Sequence, residues 1–149
     1  MFDDDEIPDG RKLPILKKGQ EIDELTRRIL DLIPEDNEEL KEIAGWMSED
    51  AANLSVKVSG AESGELYDIK MENAAIIRKS ARELIVNTHS LRMYGFKETQ
   101  YFDLLRQAVE EYRLLFIGWV ATFDRWNYEV DHWGLFNPPG IGPDNGDEL

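Results

Sequence analysis

Four stretches of the chain repeat apolar residues at every third or fourth position, the spacing that places them along one face of an α-helix. The predicted helices cover residues 20–33, 37–60, 65–95 and 97–134. No segment shows the sustained alternation of apolar and polar residues that a half-buried strand requires. The pattern therefore predicts an all-α fold.

Residues with known effects on helix ends mark the boundaries of these stretches. Pro34 ends the first helix, because a residue that precedes proline is disfavoured in the helical conformation. Asp36 or Asn37 can accept hydrogen bonds from the first-turn amides of the second helix, and Gly95 ends the third. The connections are short, which predicts an antiparallel up-down-up-down four-helix bundle over residues 13–136.

Composition makes the chain acidic, and the tails carry much of that charge. The chain has 149 residues, with 31 Asp and Glu against 17 Lys and Arg, for a net charge of −14. Residues 1–12 and the Pro/Gly-rich residues 137–149 are acidic, and we expect them to be disordered tails. The lack of cysteine excludes a disulfide scaffold and a cysteine nucleophile. Without an apolar run of roughly 20 residues or a basic leader, we expect a cytoplasmic protein that contacts no membrane.

The fourth predicted helix is longer than the third, about 55 Å against about 45 Å, and the excess is aromatic. Two interpretations of this overhang stay open. Residues 13–16, which Pro14 would keep out of a helix, could cover it by packing on Trp126, Trp133, Leu135 and Phe136. Alternatively, an exposed aromatic patch anchors a partner chain, because such patches mark interfaces. That patch would consist of Trp126, Tyr128, Trp133 and Phe136.

A second candidate partner surface is basic. Arg78, Lys79 and Arg82 lie on the third predicted helix, whereas the first two helices are mainly acidic. The acidic face of one copy could meet the basic face of its neighbour in a head-to-tail contact, which closes into a ring when the rotation allows. Charges on a helix surface are otherwise simply solvated, and this alternative stays open.

Five short strings carry a resemblance to a known family. They are Ala61-Glu62-Ser63-Gly64, Glu65-Leu66-Tyr67, Ile77-Arg78-Lys79-Ser80-Ala81-Arg82-Glu83-Leu84, Tyr94-Gly95-Phe96 and Gln100-Tyr101. Together they resemble the turns and the mid-helix segment of a family of small four-helix bundles. These proteins are encoded in ribosomal RNA intervening sequences or serve as accessory variability proteins of diversity-generating retroelements.

The resemblance implies an up-and-down bundle and a ring-like homo-oligomer such as a pentamer. It also implies contact with nucleic acid or with a reverse transcriptase, which some members of the family make. Those members are strongly basic, whereas residues 35–50 of this chain are mainly acidic and would repel a polyanion. We therefore expect self-association and an unknown protein partner, and we do not expect a nucleic-acid partner.

Paired carboxylates form the strongest enzymatic motif. Glu39-x-x-Glu42 and Glu65-x-x-Asp68 have the outline of the magnesium-binding carboxylates of all-helical nucleotide pyrophosphohydrolases. The two pairs open the second and third helices, which are predicted to be antiparallel. They would therefore lie about 30 Å apart, too far to share an ion.

Two further acidic features bear on metal chemistry. Glu129 precedes His132 by the spacing of a di-iron half-site, but the chain has no second such pair. Pairing of the second and third helices about residue 62 would bring Asp50 level with Glu72, and inward-facing acids there would mark a functional site. We expect instead that Glu72 and Glu83 pair with Arg or Lys on neighbouring helices.

These observations favour a non-enzymatic, homo-oligomeric bundle that acts as an interaction or scaffold protein, with no catalytic residue, metal or cofactor. One alternative is a carboxylate metal-dependent hydrolase of the all-helical nucleotide pyrophosphohydrolase type. The other is a nucleic-acid-associated accessory protein.

Overall fold

The computed structural model describes residues 13–145, which form four α-helices and contain no strand. The helices are α1 (Pro14–Leu30), α2 (Glu38–Glu62), α3 (Tyr67–Met93) and α4 (Phe102–Val120), with a 3-10 turn at Thr99–Tyr101. Residues 121–145 consist of turns and irregular segments. The prediction of an all-α, antiparallel four-helix bundle is confirmed. The predicted tail at residues 1–12 and the last four residues of the other tail lie outside the described range.

Helix α1 begins at Pro14, ahead of the predicted start at Gln20. Proline is favoured at the first helical position, because its fixed φ suits the helix and its missing N–H would have no helical partner there. Leu13 precedes it in an extended conformation, with φ −61° and ψ 129°. Ile15 and Leu16 are therefore helical and buried in the core, and the prediction that Pro14 keeps them out of a helix is wrong.

The start of α2 and the end of α3 lie where the sequence predicts them. The side chain of Asn37 accepts a hydrogen bond from the Leu40 amide at 3.0 Å, so Asn37 provides the cap. Gly95 has a φ of 100°, and the Phe96 amide donates to the Leu91 carbonyl at 2.9 Å. These bonds use backbone groups that each helix end leaves without a helical partner.

Helix α4 ends at Val120, well before the predicted end of the fourth helix. The Trp119 carbonyl accepts from the Thr122 amide at 3.0 Å and from its hydroxyl at 2.6 Å, and the Asp124 carboxylate accepts from the Trp126 amide at 3.0 Å. Such local bonds compete with helical ones. Because α4 has 19 residues and α3 has 27, the predicted overhang is wrong.

Three of the helices meet at one carbonyl group. Gly19 of α1 lies against the Leu54 carbonyl of α2, and the Tyr112 hydroxyl of α4 donates to that oxygen at 2.7 Å. Lys18 of α1 pairs with Glu111 of α4 at 2.7 Å. Helix α3 packs mainly on α2 and approaches α4 least closely of the adjacent pairs. The bundle is therefore closed on three sides and open between α3 and α4.

Candidate interaction surfaces

A groove of about 560 Å³ runs between α3 and α4, and we call it the α3–α4 groove. It exists because α4 packs mainly on α1 and makes few close approaches to α3. Its apolar lining includes Ile77, Ala81 and Ile85 from α3 and Val109, Phe116 and Ile117 from α4.

The walls of this groove expose apolar side chains to water. Val86 and Ile117 are each 55% exposed, whereas Tyr112 is buried. The Tyr112 hydroxyl is occupied by its bond to the Leu54 carbonyl, and burial raises the pKa of Tyr112, so the side chain stays protonated. The groove therefore offers an apolar surface for contact with a partner, whereas Tyr112 stabilises the fold.

Arginines border the groove. Arg78 and Arg82 are exposed on the α3 side, and neither forms an ion pair with any residue between 13 and 145. On the α4 side Arg113 binds the Glu110 carboxylate through two nitrogens, at 2.9 and 2.6 Å. That guanidinium lowers the pKa of Glu110, so the pair is neutral as a unit. The rim therefore has a positive charge from Arg78 and Arg82.

The chain after α4 folds back onto the start of α3. The Tyr67 amide donates to the Asn127 carbonyl at 2.7 Å, and the Glu129 amide donates to the Asp68 carboxylate at 3.2 Å. These bonds attach residues 124–137, which we call the tryptophan loop, to the end of the bundle.

One carboxylate organises the tryptophan loop. Asp131 accepts hydrogen bonds from the backbone amides of Trp133, Leu135 and Phe136 at 2.8 to 2.9 Å. The side-chain amide of Asn137 accepts from the Asp131 amide at 2.7 Å and donates to the Asp131 carbonyl at 2.9 Å. A segment without regular secondary structure thus has its backbone fixed by hydrogen bonds.

The loop presents its largest side chains to solvent. Trp126 is 90% exposed, Trp133 is 91% exposed and Leu135 is 75% exposed, whereas Tyr128 and Phe136 are half-buried. The interpretation in which the start of α1 covers these rings is therefore wrong. Two of the four residues of the predicted aromatic patch are fully presented, and their role in binding a partner remains a prediction.

We expect Asp131→Ala to disorder the loop while leaving the bundle folded. The amides of Phe136, Trp133 and Leu135 stabilise the ionised form and lower the pKa of Asp131. The carboxylate therefore orders the loop at neutral pH, and this contribution is lost only as the pH falls through the lowered pKa. Amide hydrogen exchange at these three residues should accelerate in the variant. Asp144→Ala, a change of a nearby exposed carboxylate, should leave the exchange rates unaltered, and equal rates in both variants would contradict the assignment.

The predicted basic surface of α3 divides between two locations. Arg78 and Arg82 border the α3–α4 groove, whereas Lys79 lies near Asp50 of α2. Lys70, on the same helix, lies 3.8 Å from the Glu62 carboxylate. Two of the three predicted basic residues therefore accompany the apolar groove, which periodicity alone did not predict.

The structure separates the paired carboxylates. Glu39 and Glu42 lie in the first turns of α2, and Glu65 and Asp68 lie at the start of α3, at opposite ends of antiparallel helices. The Nδ1 atom of His132 lies 2.7 Å from a backbone carbonyl oxygen. Within residues 13–145 no group of three or more His, Asp or Glu residues could hold a metal ion.

The pairing of α2 with α3 differs from the predicted register. Asn53 donates to the Ser80 hydroxyl at 3.0 Å, so Asp50 lies beside Glu83 instead of Glu72. Partial burial raises the pKa of Asp50, and a hydrogen bond from Ser80 opposes the shift. Glu72 and Glu83 are exposed, and neither forms an ion pair within the described part of the chain. The prediction that they pair with Arg or Lys is therefore wrong.

No helix between residues 13 and 145 is both long and apolar enough to cross a membrane. Comparison of the chain with protein-family models, with curated proteins and with solved structures finds no match. The function proposed below therefore rests on the surfaces of this chain.

Proposed function

We propose that the chain is a non-enzymatic, self-associating helical bundle, and that a second copy of the chain covers its α3–α4 groove. The observation that carries the proposal is the groove itself, with Val86 and Ile117 half-exposed on its walls. Removal of apolar surface from water contributes a favourable free energy of roughly 25 cal/mol for each Å² that is buried. An amphipathic bundle with such an exposed apolar groove gains stability when another surface covers the groove.

Charge supports a second copy as the occupant. The rim of the groove has Arg78 and Arg82, which form no ion pair among residues 13–145, while the chain as a whole has a net charge of −14. Exposed acids of another copy, such as Glu42 and Glu49 of α2, attract this rim locally, although the two chains have net charges of the same sign. A rim that binds a different face of its neighbour makes a head-to-tail contact, which generates a ring when it closes.

Light scattering coupled to size exclusion tests this function. We expect the wild-type mass to exceed the 17.2 kDa of one chain, and we expect Val86→Glu/Ile117→Glu to have the mass of one chain. Added salt should shift the wild type toward lower mass, since exposed charges are screened within about 10 Å at 0.1 M.

The matched control is Val56→Glu, because Val56 is 59% exposed on α2, which does not line the groove. This variant should keep the wild-type mass. A wild-type chain with the mass of a single copy at every concentration would overturn the proposal, and so would a groove variant that assembles like the wild type. If the mass of the assembly does not change with salt concentration, charge complementarity is not the cause of assembly.

The other functions have less support in the geometry. A carboxylate hydrolase would need Glu39 and Glu65 to converge, and they lie at opposite ends of the bundle. A nucleic acid would have to bind at Arg78 and Arg82. The chain that carries these arginines has a net charge of −14, which repels such a polyanion.

A further inference from the structure

We infer that the tryptophan loop of one copy inserts its exposed indoles, Trp126 and Trp133, into the α3–α4 groove of the next copy. This inference rests on the proposed self-association and names the segment that performs it. Four observations support it: the hydrogen-bonded backbone of the loop, the size of the groove, the charges of the two surfaces and their separation within one chain.

Hydrogen bonds fix the backbone of the loop in a conformation that exposes its two tryptophans. The Asp131 carboxylate fixes the backbone on both sides of Trp133, and the bond between the Tyr67 amide and the Asn127 carbonyl fixes the residue after Trp126. Neither indole is used within the described fold, since both are about 90% exposed. A pre-organised loop loses little conformational entropy when it binds, and tryptophans contribute strongly to interface energies.

The groove suits such side chains in size and character. Its volume of about 560 Å³ lies within the roughly 300–1,000 Å³ of pockets that enclose compact organic groups. Its walls are aliphatic and aromatic, with Ile85, Val109 and Phe116 available to an indole ring. Each buried aromatic side chain removes about 150–250 Å² from water, so two indoles supply a substantial apolar contact.

The charges of the two surfaces are opposite. The loop has three acids, Asp124, Glu129 and Asp131, against one exposed base, Arg125, so its net charge is 1 − 3 = −2. The groove rim has Arg78 and Arg82, which have no ion-pair partner among residues 13–145. A guanidinium also binds the face of an indole, so the arginines can contact both the acids and the rings of the loop.

The positions of the two surfaces dictate how copies join. The loop is attached at Tyr67 and Asp68, in the first turn of α3, whereas the groove follows residues 77–86 in the middle of that helix. The indoles of a chain lie outside its own groove, because they are exposed. The contact therefore joins unlike surfaces of successive copies, and it closes into a ring or continues as a filament.

Mixing two defective variants tests the insertion. Trp126→Ala/Trp133→Ala lacks the indoles, and Val86→Glu/Ile117→Glu lacks a receptive groove. We expect each variant alone to have the mass of one chain, and we expect their mixture to form a one-to-one dimer of twice that mass. The dimer cannot grow, because one intact loop fills one intact groove. Trp46→Ala, which removes a 51% exposed tryptophan from α2, is the control and should assemble like the wild type.

The outcomes separate this inference from the proposed function. If the indole variant keeps the wild-type mass while the groove variant does not, the insertion is wrong and self-association through the groove stands. If both variants are monomeric but fail to combine, the insertion is also wrong. A monomeric wild type would overturn both proposals.

A second measurement does not depend on the loss of assembly. The chain has no cysteine, so cysteines introduced at Leu135 and Ile117 are the only ones present. L135C and I117C, purified separately and mixed under mild oxidation, should form a disulfide-linked dimer of one of each. L135C mixed with V56C should not form one, and equal cross-linking in both mixtures would contradict the insertion.

Discussion

Trp119→Ala should lower the free energy of unfolding by about 3–5 kcal/mol, the range for removal of a large buried aromatic side chain. Trp119 is 5% exposed, and its Nε1 donates to the Glu62 carboxylate at 2.7 Å. Its ring packs edge-on against Phe123 with centroids 4.8 Å apart, and Lys70 lies over the Phe123 ring. The substitution therefore opens a cavity where the ends of α2 and α4 meet the start of α3, and it leaves Glu62 without its indole partner.

Denaturant unfolding followed by circular dichroism measures this loss, at one protein concentration because association adds to apparent stability. Trp46→Ala removes the same side chain from an exposed site and should change stability by less than about 1 kcal/mol. Trp119→Phe keeps most of the packing and isolates the hydrogen bond to Glu62. A loss below 1 kcal/mol for Trp119→Ala would show that this end of the bundle is not held by the indole.

The periodicity of apolar residues is sufficient to predict the number and order of the helices, and the short connections predict their antiparallel directions. Residues with strong local preferences placed two helix ends correctly, since Asn37 caps α2 and Gly95 follows α3 in the left-handed conformation. The apolar pattern does not predict the start of α1, because proline disfavours the interior of a helix. At the first helical position the same fixed φ favours a helix, as it does here.

The end of α4 shows the limit of periodicity. Apolar residues continue at helical spacing through Val130 and Trp133, but the backbone leaves the helix after Val120. Thr122 and Asp124 form side-chain bonds to nearby backbone groups, and these bonds favour turns. The short polar side chains at those positions indicate the end of α4, and a pattern of apolar residues does not include them.

The candidate surfaces were predicted in part. Exposure of Trp126 and Trp133 was one of two interpretations of the sequence, and the structure places both rings in solvent. The sequence pattern does not predict the α3–α4 groove, because the side on which α4 packs depends on tertiary contacts that a one-dimensional pattern does not contain. One signal is available: α4 is also apolar outside its buried face, with Leu114 and Ile117 both more than half exposed.

Gly19→Ala should lower the free energy of unfolding by about 3 kcal/mol, the upper end of the usual cost of overpacking a core. A Cβ atom at this position would lie 2.4 Å from the Leu54 carbonyl oxygen and 2.8 Å from its carbon. Backbone atoms cannot rotate away as side chains do, so α1 must separate from α2. The same oxygen accepts the hydrogen bond from Tyr112, which means that movement of α2 would also weaken its contact with α4.

Gly45→Ala is the matched control for this clash. Gly45 lies in α2 with no atom within 4 Å of a Cβ built on it, so alanine should stabilise the helix there by about 0.5–1 kcal/mol. The same chemical change is therefore expected to have opposite signs at two helical glycines of one bundle. If denaturant unfolding shows both variants to be stabilised, α1 and α2 can separate at little cost, and the three helices are not joined at the Leu54 carbonyl.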